Sequence, residues 1–265
     1  MAFLKSSISL LAVALVCAAV SFAVYGKGRV VSRDGFSDEE EINQSFALSN
    51  GSQVRIHTIN GTVKVDTWDQ AKADIHIVKR TNRGPEELKR LDVIIDHSSD
   101  SLEIRTNKQN DDDDIQVNVT VEVKLPRQMS LNVGGINGKT DIGPVNGVVS
   151  AHGINGHVSI AQSSEELSID GINGSVTASL TSLGSNGIRM SGINGSITIG
   201  IPEDANATID VTGHNGGFNS DLPLSFIGEM RRNQTHAQLG SGGSPIRMSG
   251  INGGIHLKKS QNGAM

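Results

Sequence analysis

The sequence predicts an all-β protein organised as a β-solenoid, and three observations carry that expectation. Residues 45 to 125 alternate apolar and polar residues over run after run. A nine-residue phrase, written most clearly as HGINGHVSI at 152–160, recurs through the second half. Only one short stretch, PEELKRL at 85–91, has helical character, with Pro85 in its first turn and Glu86 and Glu87 near its N-terminus.

Taken in order, the chain opens with one basic residue, Lys5, an apolar run from about Ile8 to Val20, and the small residues Ser21 and Ala23. This is the pattern of a secretory leader cleaved after Ala23, and the run is short of the roughly 20 apolar residues a membrane span needs. Val16 before Cys17 does not fit a lipoprotein site, which wants a small residue there. Cys17 is the only cysteine, so a chain lacking residues 1–23 has no disulfide, thiolate nucleophile or Cys-ligated zinc. The expected location is export, to the periplasm, the cell surface or the medium, with no integral span after cleavage. Loss of Lys5 takes the net charge from −5 to −6, which disfavours nucleic acid as a partner.

Residues 24–44 contain SDEEE and little apolar content and are expected to be a solvated linker. The domain proper is expected at 45–257, followed by a tail at 258–265. Within it QVRIHT, GTVKVDTW, ADIHIVK, LDVIID, SLEIRT and IQVNVTVEVKLP each read as half-buried strands. The run NDDDD at 110–114 raises a calcium site at Asp111–Asp114, but it lacks the spaced ligands and Gly of a calcium loop and reads more simply as a solvated turn.

The repeat units start at 134, 143, 152, 170, 191 and 249, and a unit at 161 keeps Leu167 and Ile169 in phase without its turn. Their Asn-Gly pairs are Asn137-Gly138, Asn146-Gly147, Asn155-Gly156, Asn173-Gly174, Asn194-Gly195 and Asn252-Gly253, with Asn60-Gly61 an earlier copy. A meander of type I′ hairpins would put Ile136, Ile154, Ile172 and Ile193 on a polar face, so that reading fails. In a solenoid the third, seventh and ninth positions point inward. Two units then make an 18-residue coil, with the chain bending at the Gly of position two and Asn-Gly taking left-handed conformations to finish the corner. Stacked Asn side chains could then bond along a row. One unit cannot fold alone: three inward side chains contribute about 1.5–3 kcal/mol each, against about 1–2 kcal/mol for ordering each of nine residues.

The repeated G-I-N-G, the TINGTVKVDTWD opening, the VTVEVKLP strand and the ending AQLGSGGSPIRMSGINGGIHL resemble bacterial adhesin-like families, among them the head-GIN domain of auto-transporter adhesins. The resemblance covers roughly residues 45 to 257, with irregularities at 161–166, 179–190 and 219–248. It implies a right-handed β-helix, secreted or attached to the envelope, and brings no catalytic residues.

No catalytic, cofactor-binding or metal-binding residue is identified. His57, His76 and His256 alternate within strand patterns, His152 and His157 flank a turn, and none has metal-ligand spacing. His214 occupies an Ile slot of the phrase and reads as a corner residue. GSGGSP at 240–245 lacks the Lys and helix of a phosphate cradle. Asp141, Glu165, Glu166 and Asp170 are the only acids near the regular units, and beyond residue 130 only Phe218 and Phe226 are aromatic. The expected function is non-enzymatic adhesion or scaffolding, the partner being a surface polymer or envelope protein that the sequence does not identify; oligomeric state is not legible. A carbohydrate-active β-helix enzyme, which needs paired carboxylates, and an envelope-stress regulatory binding protein are the alternatives.

Overall fold

The computed structural model describes residues 24–26, 35–109, 114–161, 165–228 and 233–260. The leader-like segment 1–23 and Asp111–Asp113 of the acidic run lie outside them. Among the described residues no helix is long and apolar enough to cross a membrane.

The protein is all-β, with one five-residue helix, α1 (Pro85–Lys89), among the described residues. Strands of the first half are β1 (Val24–Gly26), β2 (Asp38–Ala47), β3 (Ser52–His57), β4 (Asn60–Trp68), β5 (Lys72–Thr81), β6 (Leu91–His97), β7 (Ser101–Lys108) and β8 (Asn118–Pro126). The repeat region supplies β9 (Met129–Gly134), β10 (Asn137–Ile142), β11 (Val149–Asn155), β12 (Val158–Ile160), β13 (Leu167–Asn173), β14 (Val176–Ser179), β15 (Ile188–Asn194) and β16 (Ile197–Ile201). The chain ends with β17 (Ala207–Thr212), β18 (Phe218–Ser220), β19 (Leu224–Phe226), β20 (Gln234–Leu239), β21 (Ser244–Asn252) and β22 (Ile255–Lys259).

Strands pair in parallel in two ranks. In the first, β7, β3, β9, β11, β13, β15, β21 and β17 lie side by side. The second holds β8, β4, β10, β12, β14, β16, β22 and β18 in that order. Each tier therefore consists of one strand from each rank, and the ranks meet at the Asn137–Asn155 corner. Successive tiers of the regular region step by 18 residues (Asn155 to Asn173), then by 21 (Asn173 to Asn194), where residues 179–190 lengthen the loop.

Tier order is not chain order. The β3–β4 tier lies between the β7–β8 and β9–β10 tiers, although it precedes both in sequence. At the other end β21–β22, the last tier of the chain, is wedged between β15–β16 and β17–β18. Antiparallel strands close both ends. On one side β6 pairs with β7 and β5 with β8, followed by β2 and β1. On the other, β20 pairs with β17 and β19 with β20.

Alternation places the core between the ranks. Position three of the phrase is buried in Ile136, Ile154, Ile172, Ile193 and Ile251; positions seven and nine are buried in Val158, Val176, Ile197 and Ile255 and in Ile160, Ala178, Ile199 and Leu257. Thr140 takes position seven once, and its buried hydroxyl has no partner among the described residues.

Three expectations need correction. Residues 38–44, expected in a linker, belong to β2. The acidic run survives as a strand because it faces a basic one: Glu39 is in register with Arg80 and Glu40 with Lys79, and both pairs bond, at 2.7 and 2.8 Å. The tail begins later than expected, since Lys258 and Lys259 pair with Gly200 and Ile201. Asn-Gly does not form a left-handed pair, for no non-glycine residue has positive φ among the described residues. The left-handed residue is instead the Gly of position two, with φ of 60 at Gly153, 64 at Gly171 and 60 at Gly192. The Gly after Asn sits at φ of 154 in Gly156 and 152 in Gly174, and a Cβ there would enter the carbonyl of the glycine one tier below, Gly138 and Gly156 respectively. Stacked glycines let the backbones touch at the corner.

Candidate functional site

The asparagines form one line of hydrogen bonds. Asn137 donates to Asn60, Asn155 to Asn137 (each 3.1 Å), Asn173 to Asn155, Asn194 to Asn173 and Asn252 to Asn194 (each 3.0 Å). Asn215, preceded by His214, closes the row by donating to Asn252 at 3.3 Å. Gly61, Gly138, Gly156, Gly174, Gly195 and Gly253 follow it as the touching glycines just described. Asn146 and Gly147 stand apart: the Asn146 amide donates to the Arg127 carbonyl, and Gly147 abuts the Met129 carbonyl. The pair on the opposite side of the tier thus contacts a different stretch of chain. In each Asn between the ends of the row, Asn60 and Asn215, one amide hydrogen and one oxygen are used along it, so the ladder fixes tier register.

The acids of the repeat do not converge. Asp141 lies on the second rank and pairs with Lys139 at 2.7 Å. Asp170 lies on the first rank and accepts from Ser191. Glu165 and Glu166 sit before β13. Among the described residues no three His, Cys, Asp or Glu side chains converge as a metal site would require. His214 is buried in the last tier, its Nδ1 against the Gly216 carbonyl at 3.1 Å and its Nε2 without a partner among the described residues.

A groove of about 770 Å³ opens on the outer face of the second rank, over β2, β5, β8 and β4. It forms where the sheet changes from parallel β4–β8 pairing to antiparallel β8–β5–β2 pairing. Its lining carries paired charge: Lys64 on Asp66 at 3.1 Å, Asp74 held by the flanking Lys72 at 2.8 Å, and His76 between the flanking Glu41 and the lining Glu122 at 3.8 and 3.7 Å. Burial pushes the Asp74 carboxyl up, but hydrogen bonds from Lys72 and Ser45 and the charges of Lys72 and Lys124 outweigh it and hold the group below its ordinary value. The hydrogen bond and charge of Asp66 raise Lys64 in turn. Asp74 therefore stays ionised, whereas a general acid needs a carboxyl pushed the other way. Such a lining can hydrogen-bond a polar ligand. Sequence reading missed it because its members come from four strands.

A second feature holds α1 in place. The buried Glu87 carboxylate accepts from the Gln116 backbone N–H at 2.8 Å and from Arg90 at 2.9 Å, and both hold it below its ordinary value. The buried Lys79 ammonium donates to the Leu88 and Leu91 carbonyls, each at 3.0 Å, while pairing with Glu40. Asp114, the one described member of the acidic run, pairs with Arg83 at 2.8 Å.

No protein-family model matches the chain, and no curated protein matches it. Among solved structures, it is similar to a candidate cell adhesion protein of Clostridium sporogenes at 11% identity and a TM-score of 0.49, covering 84% of this chain and 100% of that one. A candidate adhesin of Bacteroides fragilis is similar at 13% identity and a TM-score of 0.33, over 82% of this chain and 96% of that one. A candidate lipid-binding protein of Parabacteroides distasonis is similar at 9% identity and a TM-score of 0.28, over 81% and 96%.

Proposed function

We propose that this is an exported, non-enzymatic binding protein whose tiers wind as a β-solenoid and whose flat outer faces hold a surface polymer or another envelope protein. One observation carries the reading. Outward positions fall into straight ranks of small polar side chains, such as Ser159, Thr177 and Thr198 in mutual register, over an interior filled mainly by the apolar positions of the phrase. Straight ranks at the strand spacing of about 4.8 Å suit a repetitive ligand better than a compact one. The leader-like first 23 residues support export. Dispersal of Asp141, Glu165, Glu166 and Asp170 supports binding over sugar cleavage, which needs two carboxyls held across one bond.

The test measures retention of the purified protein on envelope and polysaccharide fractions, alongside release of reducing ends. Changing Asp141 and Asp170 to Asn and Glu165 and Glu166 to Gln should leave folding and retention intact. Ile172→Asp should abolish both, because it buries an unpaired charge. Sugar cleavage by the wild type that disappears in the fourfold variant, with its fold retained, would establish an enzyme instead.

A further inference from the structure

The outer face of the first rank carries a line of polar and basic side chains in register. Arg55 is in register with Asn132, Asn132 with Ser150, Ser150 with Ser168, Ser168 with Arg189, and Arg189 with Arg247. No acid interrupts these six positions. Glu103 stands beyond Arg55 and Asp210 beyond Arg247, so the line is bounded by carboxylates at both ends. Arg189 and Arg247 are exposed neighbours on adjacent parallel strands, about 4.8 Å apart along the register. Like charges directly opposite one another destabilise a sheet. Asp210 stands across from Arg247 on the next strand but is bonded to His236, and Asp170 accepts from Ser191; neither forms an ion pair with either arginine. A protein with net charge −5 has thus set two guanidiniums side by side, with Ser168, Ser191 and Ser249 as their small neighbours and Asp170 and Asp210 engaged by Ser191 and His236.

We propose that Arg189 and Arg247 form an oxyanion clamp for an anionic polysaccharide lying along this line. The spacing of adjacent strands lets both guanidinium forks donate to one carboxylate, sulfate or phosphate group, the geometry in which Arg is strongest. Asn132, Ser150 and Ser168 continue the line as hydroxyl and amide partners for the neutral, hydroxyl-rich parts of such a chain. Arg55, four register steps from Arg189, can meet a second anionic group about 19 Å away. Nucleic acid is the poorer match: the line has too few cations and no aromatic side chain to stack a base. The inference rests on the binding reading above and adds the ligand class and the face.

The experiment uses the full exported chain with polygalacturonate, dextran sulfate, neutral dextran and single-stranded DNA as probes, at low and physiological salt. Expected is salt-sensitive binding to one or both anionic glycans, none to dextran, and a loss of about tenfold or more in the Arg189→Gln, Arg247→Gln variant. A Lys139→Gln, Lys258→Gln variant, which removes the same charge from the second rank, should bind as the wild type does. Comparing carboxylate with sulfate probes identifies the anion. No binding to either anionic glycan, equal loss in both variants, or DNA bound more tightly than the glycans through the arginines would overturn the clamp. If the wild type is retained on envelope fractions and the arginine variant is retained equally, the clamp fails while the binding reading stands. If the wild type is not retained at all, the binding reading fails first. Matched thermal melts of wild type and variants exclude misfolding as the cause.

Discussion

Two glycines three residues apart in HGINGHVSI should tolerate a methyl group very differently. Gly153 has φ of 60, and a Cβ added there has no heavy atom nearer than 3.8 Å, the Gly135 nitrogen. Ala at this position meets only the left-handed penalty, about 1–2 kcal/mol. Gly156 has φ of 154, and its Cβ would run into the Gly138 carbonyl. Relief requires the two tiers to separate at the corner, straining bonds from the Asn155 amide to the Ile136 carbonyl and from the Thr140 amide to the His157 carbonyl, each 2.8 Å. A residue forced into a sparsely populated region costs about 1–3 kcal/mol and each weakened bond about 0.5–1.5 kcal/mol, so Gly156→Ala should cost about 3–5 kcal/mol. Urea unfolding followed by circular dichroism reads the contrast. With a slope of about 2–3 kcal/mol/M, the Gly156→Ala midpoint should lie about 1 M below that of Gly153→Ala. Equal midpoints, or a larger loss at Gly153, would refute the stacked-glycine corner.

Three further outcomes follow from the same geometry. Ending the chain after Gly243 removes the wedged β21–β22 tier and leaves β15–β16 and β17–β18 without their shared neighbour; the product should lose cooperative unfolding and aggregate in size-exclusion chromatography. In a Cys17→Ser background, a Ser159→Cys, Thr177→Cys pair, in register on adjacent strands, should oxidise readily, while Ser150→Cys with Ser159→Cys, on opposite ranks, should not. Glu87 is held below its ordinary value of 4.5, so its contribution is complete above about that pH and is lost as pH falls through the depressed folded value. Glu87→Gln should therefore be less stable than the wild type at neutral pH, and the gap should close in acid unfolding titrations.

The strands and their inward positions were legible because period-two alternation states directly which side chains leave water. Ile154 and Val158 are buried where the phrase places them. Tier order was not legible, and the reason is the repeat itself. SGINGSITI at 191 and SGINGGIHL at 249 present nearly the same edge, so no local pattern says which of them the 207–220 tier will meet. The acidic run at 38–41 was misread because charge alone signals solvation; its bonding to Lys79 and Arg80 depends on a register that the run does not contain. At the corner the bend at the Gly of position two was legible, and only the conformation of the Asn was not. Asn-Gly favours left-handed turns in isolation, but here neighbouring tiers need the second residue for close approach and leave the bend to the preceding Gly. The arginine pair and the groove come from residues 58 apart and from four different strands, distances over which sequence pattern carries no information.

Because the β3–β4 and β21–β22 tiers each sit one place in from an end of the parallel stack, repeats are added most simply in its middle. A strand inserted next to β3 or β22 finds no vacant edge there, since each already has a parallel neighbour on both sides. An 18-residue duplication between β11 and β15, by contrast, inserts a full tier with its asparagine and glycine already in line. Size variation among relatives of this architecture should accordingly map to the middle of the chain, with the two closing assemblies held constant.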